Sequence, residues 1–280
     1  MKPLKTRLIT GTAIFVAGVP LLLFSHTIIF PIAAGILALI AMSEIIAMEK
    51  FKKRYGAIIP TYILAFLIPF CAWFFKDNEK NYVNVIAIVI FMFLLYMFAY
   101  AVVMKGAVKF SEIALHFTAF TYVTVSFASI PMMRHIDQNG AWYVVIIFIA
   151  SCVCDIAAYF VGRAIGKHKL IPTVSPKKTI EGAIGGTLFS VVCVVGFGVL
   201  VHYVTGLHVR YLWLAVIALV LAVVSQFGDL IASLMKREFG IKDFGKCFPG
   251  HGGIMDRTDS TIAVSPVLLA MILILPPFYV

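Results

Sequence analysis

The chain has 280 residues, 62% of them apolar and only 13% charged, with a formal net charge of +10 and a mean hydropathy of +1.01. A soluble domain is about half apolar and about one quarter charged, so this composition excludes a soluble globular protein. The basic residues stand in short segments between long apolar runs, which points to a membrane as the partner and not to nucleic acid.

Apolar run length predicts an all-α polytopic fold of nine spans, at about 8–24, 27–48, 57–75, 82–104, 112–132, 141–162, 183–203, 210–233 and 261–278. Helices satisfy their own backbone hydrogen bonds in lipid, and runs of this length are too long for barrel strands. The first span follows Lys2, Lys5 and Arg7 and looks like a signal peptide. It lacks a convincing small-x-small cleavage site and more spans follow at once, so it reads as an uncleaved first helix. The second span contains Pro31, and the third Pro60 and Pro69.

The positive-inside rule orients the chain. With nine spans and a cytoplasmic N-terminus, only Lys76, Lys80, Arg134 and Arg210 of the 23 Lys and Arg fall outside. Two basic loops, Arg163–Gly182 and Ser233–Ser260, then share the cytoplasmic face. We expect a multi-pass protein of the plasma or inner membrane. Residues 1–150 would form a scaffold of N-terminal spans and 151–280 the catalytic region.

Cys71, Cys152, Cys154, Cys193 and Cys247 are odd in number and have no CxxC spacing. They argue against a disulfide framework and a zinc site, and read as small packing residues. The chain also lacks GxxxxGK[ST], HExxH and GxSxG, which counts against a P-loop nucleotidase, a zincin and an α/β-hydrolase.

Charge inside an apolar run is costly and marks function by default. Asp229 lies in the eighth run, with Ser225 and Ser233 on the same helix face at i±4. Its bland alternative is a structural pair with a neighbouring lysine. Asp256 and Asp259 are three apart and share a face if that segment is helical. Hard oxygen ligands of this kind suit Mg²⁺, which substrate phosphates complete. Their alternative is a salt-bridge cluster at the head of the last span. Asp155 could assist the site or pair with Arg163. Glu44 and Glu112 are expected to snorkel toward solvent.

Lys177, Lys178, Lys236, Arg237, Lys242, Lys246 and Arg257 far exceed what the nearby acids need. Such a surplus can attract anionic headgroups or neutralise a polyphosphate. Ser175-Pro176-Lys177-Lys178-Thr179 reads as an N-cap and first-turn proline opening the seventh span, and a helix N-terminus beside lysines suits phosphate. Gly182 and Gly186 have the GxxxG spacing of close helix packing. Gly250, Gly252 and Gly253 would let backbone approach a phosphate, and His251 could bind phosphate or move a proton.

The stretch Ser233–Asp259 resembles the signature of the phosphatidate cytidylyltransferases, also called CDP-diglyceride synthetases. The residues that carry the resemblance are Ser233, Lys236-Arg237, Lys242-Asp243, His251-Gly252-Gly253, Asp256-Arg257 and Asp259. Upstream, Asp155…Ala158-Tyr159-Phe160-x-Gly162-Arg163, Ser175-Pro176-Lys177-Lys178-Thr179-x-Glu181-Gly182 and Ser225-Gln226-x-Gly228-Asp229-Leu230 are also similar to that family. The likeness covers the last 130 residues or so; the first 150 match only as membrane spans. Phe244 departs from the pattern, standing where a small polar residue is expected.

The resemblance implies transfer of CMP from CTP to phosphatidic acid, giving CDP-diacylglycerol and pyrophosphate. It places the Mg²⁺ acids at Asp229 and Asp256, with Asp259 close by, and implies a second cation, K⁺, and a homodimer. Lys236 and Arg237 would join the acids in catalysis. Ser175, Lys177, Lys178, Thr179, Lys242, Asp243, His251, Gly252, Gly253 and Arg257 would bind substrate. Two rival readings are a CTP-dependent polyprenol or phytol kinase, which would release CDP, and an anion transporter, which would show paired broken helices and an internal repeat.

Overall fold

A computed structural model describes residues 16, 18–48, 54–76, 78–105, 107–248, 250 and 252–279. Among these, seven helices are long and apolar enough to cross a membrane, and an eighth apolar helix, Tyr55–Cys71, is shorter. The expected first span, 8–24, falls mostly outside the described residues. The chain divides into two compact units, Met1–Gln138 with Asp243–Arg257, and Asn139–Lys242 with Thr258–Val280.

The first unit is built on α1 (Ile29–Met48), α2 (Tyr55–Cys71), α3 (Glu79–Val103) and α4 (Phe110–His135). Close packing of α1 on α2 depends on Gly35, where a Cβ would lie 2.8 Å from the Phe66 carbonyl oxygen. Helix α4 packs against α1, α2 and α3; within it His116 is fully buried and its Nε2 meets Thr61 Oγ1 of α2 at 2.8 Å. Helix α3 is exposed along most of its length, as expected of a helix solvated by lipid. Two tyrosine hydroxyls fasten it, Tyr82 to the Ile68 carbonyl and Tyr96 to the Gly56 carbonyl, each at 2.6 Å.

Of the two glutamates expected to snorkel, Glu112 is partly exposed and Glu44 is buried. Glu112 pairs with Arg54 at 3.4 Å and accepts from the Lys109 amide at the head of α4. Glu44 is only 8% exposed.

The second unit begins with one long span, α5 (Gly140–Phe148), a π-helical turn (Ile149–Val153) and α6 (Cys154–Ile165). A π turn widens the backbone and releases a carbonyl from the usual ladder. Here Ser190 Oγ donates to the Ala150 oxygen at 3.1 Å. After α6 come the hairpin β1 (Lys169–Ile171) and β2 (Ser175–Thr179), then α7 (Ile180–Thr205), β3 (His208–Val209) and α8 (Tyr211–Glu238). Helix α9 (Met255–Ile274) and β4 (Phe278–Tyr279) follow. Strands β3 and β4 pair antiparallel, with His208 opposite Tyr279.

Helices α6 and α7 touch backbone to backbone through the glycines that the spacing singled out. A Cβ on Gly182 would lie 2.7 Å from the Ala158 oxygen, and one on Gly186 2.7 Å from the Cys154 oxygen. Gln226 of α8 reaches both helices, donating to Thr187 Oγ1 at 2.9 Å and the Ala183 oxygen at 3.2 Å on α7 and meeting Cys154 Sγ at 3.5 Å on α6. An amide side chain held between helices replaces the water it loses in lipid.

Two expectations about helix starts are corrected. Ser175-Pro176 does not open the seventh span. Those residues lie in β2, with Ser175 opposite Ile171, and the N-cap of α7 is Thr179, whose hydroxyl accepts from the Gly182 amide at 3.2 Å. The proline drives the preceding residue to extended backbone, and its own fixed φ suits a short edge strand. The last span starts at Met255, not near 261, so Asp256 and Asp259 stand on its first turns and not in a loop before it. Acidic residues suit that end of a helix because the exposed amides carry partial positive charge.

Candidate functional site

In the second unit, α8 carries Asp229 and β2 carries Lys178, and the two form an ion pair with Nζ–Oδ2 of 2.6 Å. Neither side chain is fully buried, at 31% and 24% exposure. Lys178 is held further by the Gln226 carbonyl at 3.5 Å. Asp155 of α6 does not turn to Arg163: its Oδ2 accepts from Ser260 Oγ of α9 at 3.0 Å, and Arg163 meets the Tyr159 hydroxyl. Asp259 accepts from the Ser260 amide at 2.8 Å. It lies within electrostatic reach of Asp229, Asp155 and Lys236. Three carboxylates from three helices therefore gather with two lysines in this unit. Ser225, one turn before Asp229, is fully buried.

Of the other predicted basic residues, Lys246 and Arg257 belong to the first unit and are exposed. Arg237 is exposed and reaches the Val174 carbonyl at 3.5 Å. Lys177 and Lys242 are exposed. Glu181 pins the start of the hairpin: it accepts from the amides of Lys167 at 3.1 Å and His168 at 3.2 Å, and from His168 Nδ1 at 2.6 Å. The helix N-terminus proposed for phosphate is thus occupied by its own Thr179 and Glu181.

In the first unit the glycine-rich segment wraps around two carboxylates. Asp256 is 6% exposed, and its Oδ2 accepts from the Phe244 amide at 2.7 Å and the Gly253 amide at 3.0 Å. Glu44 accepts from the Ile254 and Met255 amides, each at 2.9 Å. Phe248 and Gly252 exchange backbone hydrogen bonds across the tip. Gly252 has φ +88° and Gly250 φ +86°, a conformation costly for residues with a Cβ. The departure at Phe244 fits: its ring is buried and its amide serves Asp256. Asp243 and Arg257 are exposed. His251 lies outside the described residues.

Sequence reasoning misread Glu44 as snorkelling and left Asp155 open between the site and Arg163. The signal was present for both, an acid within an apolar run, which is the same signal that singled out Asp229.

Among the described residues, no group of three or more His, Cys, Asp and Glu is placed to hold a metal ion by itself. Mg²⁺ at phosphates needs only one or two carboxylates, with water and phosphate oxygens supplying the rest. The gathering of Asp229, Asp259 and Asp155 fits that hard-oxygen requirement. A cavity of about 340 Å³ in the same unit is lined by Leu170, Ala183, Thr187, Val223, Phe227 and Gln226 among others, and the Gln226 carbonyl is the one that Lys178 meets.

Helical spans, a carboxylate–lysine cluster and a glycine-rich acidic segment suit a membrane enzyme of phosphate chemistry, and known proteins similar to this chain are cytidylyltransferases by name. A family model described as the Cytidylyltransferase family matches residues 5–275. The phosphatidate cytidylyltransferase of Bacillus subtilis is 33% identical over 96% of this chain and 97% of its own length. Those of Staphylococcus saprophyticus and Staphylococcus epidermidis are 32% and 33% identical over 95% of this chain and 97% of theirs. The chain belongs to the cytidylyltransferase family. The likeness runs through the first 150 residues as well, where the motifs alone had shown only spans.

Proposed function

We propose that the chain is a phosphatidate cytidylyltransferase, transferring CMP from CTP to phosphatidic acid. A phosphate oxygen of the lipid attacks the α-phosphorus of CTP, the bond to the β-phosphate breaks, and pyrophosphate leaves. CDP-diacylglycerol is the lipid product. Such transfers need little covalent chemistry from the protein; positioning and neutralisation of charge do most of the work.

The observation that carries the reading is the Lys178–Asp229 pair beside Asp155 and Asp259. Lys178 could exchange Asp229 for a phosphate oxygen if a bound cation took up the charge of the freed carboxylate. Lys178, Lys236 and Arg237 would neutralise pyrophosphate or the lipid headgroup, with Lys177, Lys242 and Arg257 drawing anions from solution. Asp229 and Asp259 would hold Mg²⁺, which supplies charge neutralisation on the triphosphate. Asp256 enters that ligand set through the resemblance alone, as does K⁺ as a second cation. The apolar cavity beside Gln226 suits an acyl chain of the lipid.

A multi-pass protein of the bacterial plasma membrane, with its N-terminus and both basic loops cytoplasmic, agrees with the distribution of Lys and Arg. A homodimer rests on the resemblance.

The test is turnover of CTP by the purified protein in detergent with phosphatidate and Mg²⁺, following pyrophosphate and lipid product. Pyrophosphate with CDP-diacylglycerol is expected. Release of CDP with a phosphorylated polyprenol as product would refute the assignment in favour of a kinase.

A further inference from the structure

We propose that Glu44, on α1 and more than two hundred residues before the amides it holds, is a positioning residue for the cytidylyl transfer. It sets the glycine-rich segment and the first turn of α9. The inference rests on the function proposed above and extends it to a residue that none of the motifs includes.

The geometry is specific. Glu44 stands near the end of an apolar helix and is 8% exposed. It uses both carboxylate oxygens, Oε1 on the Ile254 amide and Oε2 on the Met255 amide. These are successive donors at the head of α9, where a helix has amides without partners of their own. The neighbouring Gly253 amide is taken by Asp256. Three consecutive amides, Gly253 to Met255, are therefore aimed at two carboxylates.

The segment is also shaped to admit Glu44. A Cβ on Gly245 or on Gly253 would run into the Glu44 carboxyl group. Neither glycine has positive φ, so backbone freedom does not account for them. Room for the glutamate does.

The energetics make a plain anchoring role costly. A desolvated carboxylate gives up its hydration, which charge-assisted bonds to two amides and the helix dipole must offset. A neutral Ser, Thr or Asn cap on the segment itself would satisfy those amides without burying a charge. Glu44 also sits beside Asp256, a like charge. What the carboxylate supplies in return is direction: its bidentate grip fixes the rotation of α9 about its axis. That rotation decides where Asp256 presents its carboxylate.

The test uses the full chain in detergent, wild type against Glu44→Gln and Glu44→Asp. Glutamine keeps the shape, but its amide group faces one of the two N–H donors. We expect Glu44→Gln to speed backbone amide exchange at residues 253–255 at least tenfold. We expect it to raise the CTP KM and the half-saturating Mg²⁺ concentration about tenfold and to lower kcat about tenfold, with the phosphatidate KM within twofold of wild type. Glu44→Asp, which keeps the charge, should recover part of the CTP affinity. Faster exchange with unchanged CTP and Mg²⁺ dependence would overturn the proposal, leaving Glu44 a structural anchor. Unchanged exchange would overturn it too. A wild-type protein that makes no pyrophosphate from CTP and phosphatidate, while exchange at 253–255 still responds to Glu44→Gln, would refute the function proposed above and not the contact.

Discussion

Replacing Asp256 by Asn separates its hold on the Phe244 and Gly253 amides from the catalytic part proposed for it. Its Oδ2 accepts from the Phe244 amide at 2.7 Å and the Gly253 amide at 3.0 Å. The Asn carbonyl oxygen can take the same place and accept the same two donors, so the fold of the segment is kept in outline. What is lost is charge assistance, the difference between about 1.5–3 kcal/mol per bond to a charged acceptor and about 0.5–1.5 kcal/mol for a neutral one. Two bonds give a loss of about 2 kcal/mol, or a fall in Tm of about 4–8 °C for a chain of this size. Removing a charged group from a phosphate-transfer centre costs more in rate, about 10²–10³-fold by analogy with lost transition-state donors. The assay is pyrophosphate release in detergent beside a thermal melt of the same preparation. A folded Asp256→Asn protein that keeps more than a tenth of wild-type turnover would refute the catalytic reasoning and reduce Asp256 to a fastener of the glycine-rich segment.

Lys178→Met leaves Asp229 without its 2.6 Å partner, beside two further acids; CTP-dependent kcat/KM should fall about 100-fold, with Lys178→Arg losing less, because uncompensated charge in a partly buried site is poorly tolerated. Gly186→Leu forces side-chain atoms onto the Cys154 carbonyl; overpacking of this kind costs about 1–3 kcal/mol or more and should lower Tm and the yield of monodisperse protein while Gly196→Leu, with open space around it, does neither. Val223→Trp fills the apolar cavity and should raise the phosphatidate KM about tenfold at an unchanged CTP KM, a shift of about 1.4 kcal/mol; steady-state kinetics with each substrate varied would show it.

The helical spans were legible because apolar run length is a coarse and robust signal. The described helices stand where eight of the runs were placed. The start of α9 was not legible: Asp256, Arg257 and Asp259 look like loop by composition, and only the capping interactions from Glu44 and Asp256 make them helix. Ser175-Pro176 misled for a related reason, since Ser before Pro has the form of an N-cap and only pairing with Lys169–Ile171 makes it strand. The small residues at Gly182 and Gly186 were legible because their spacing states a packing distance directly. Lys178 and Asp229 were each singled out, but their pairing joins residues 51 apart in sequence, which no local pattern records. Glu44 was misread because its partners are backbone amides, and backbone carries no sequence signal.

The π-helical turn at Ile149–Val153 acts as a phase shift in the span that holds Asp155. An α-helix advances about 100° per residue, so one extra residue accommodated in the turn rotates everything after it by that angle. Deleting a single residue there would restore a regular helix without shortening the span by more than about 1.5 Å. Asp155 would then point about a quarter of a turn away from Ser260, and Cys154 away from Ala222. The register of this span is therefore a property of its length to the residue, and insertions or deletions that a lipid-facing helix tolerates elsewhere would here dismantle the carboxylate cluster.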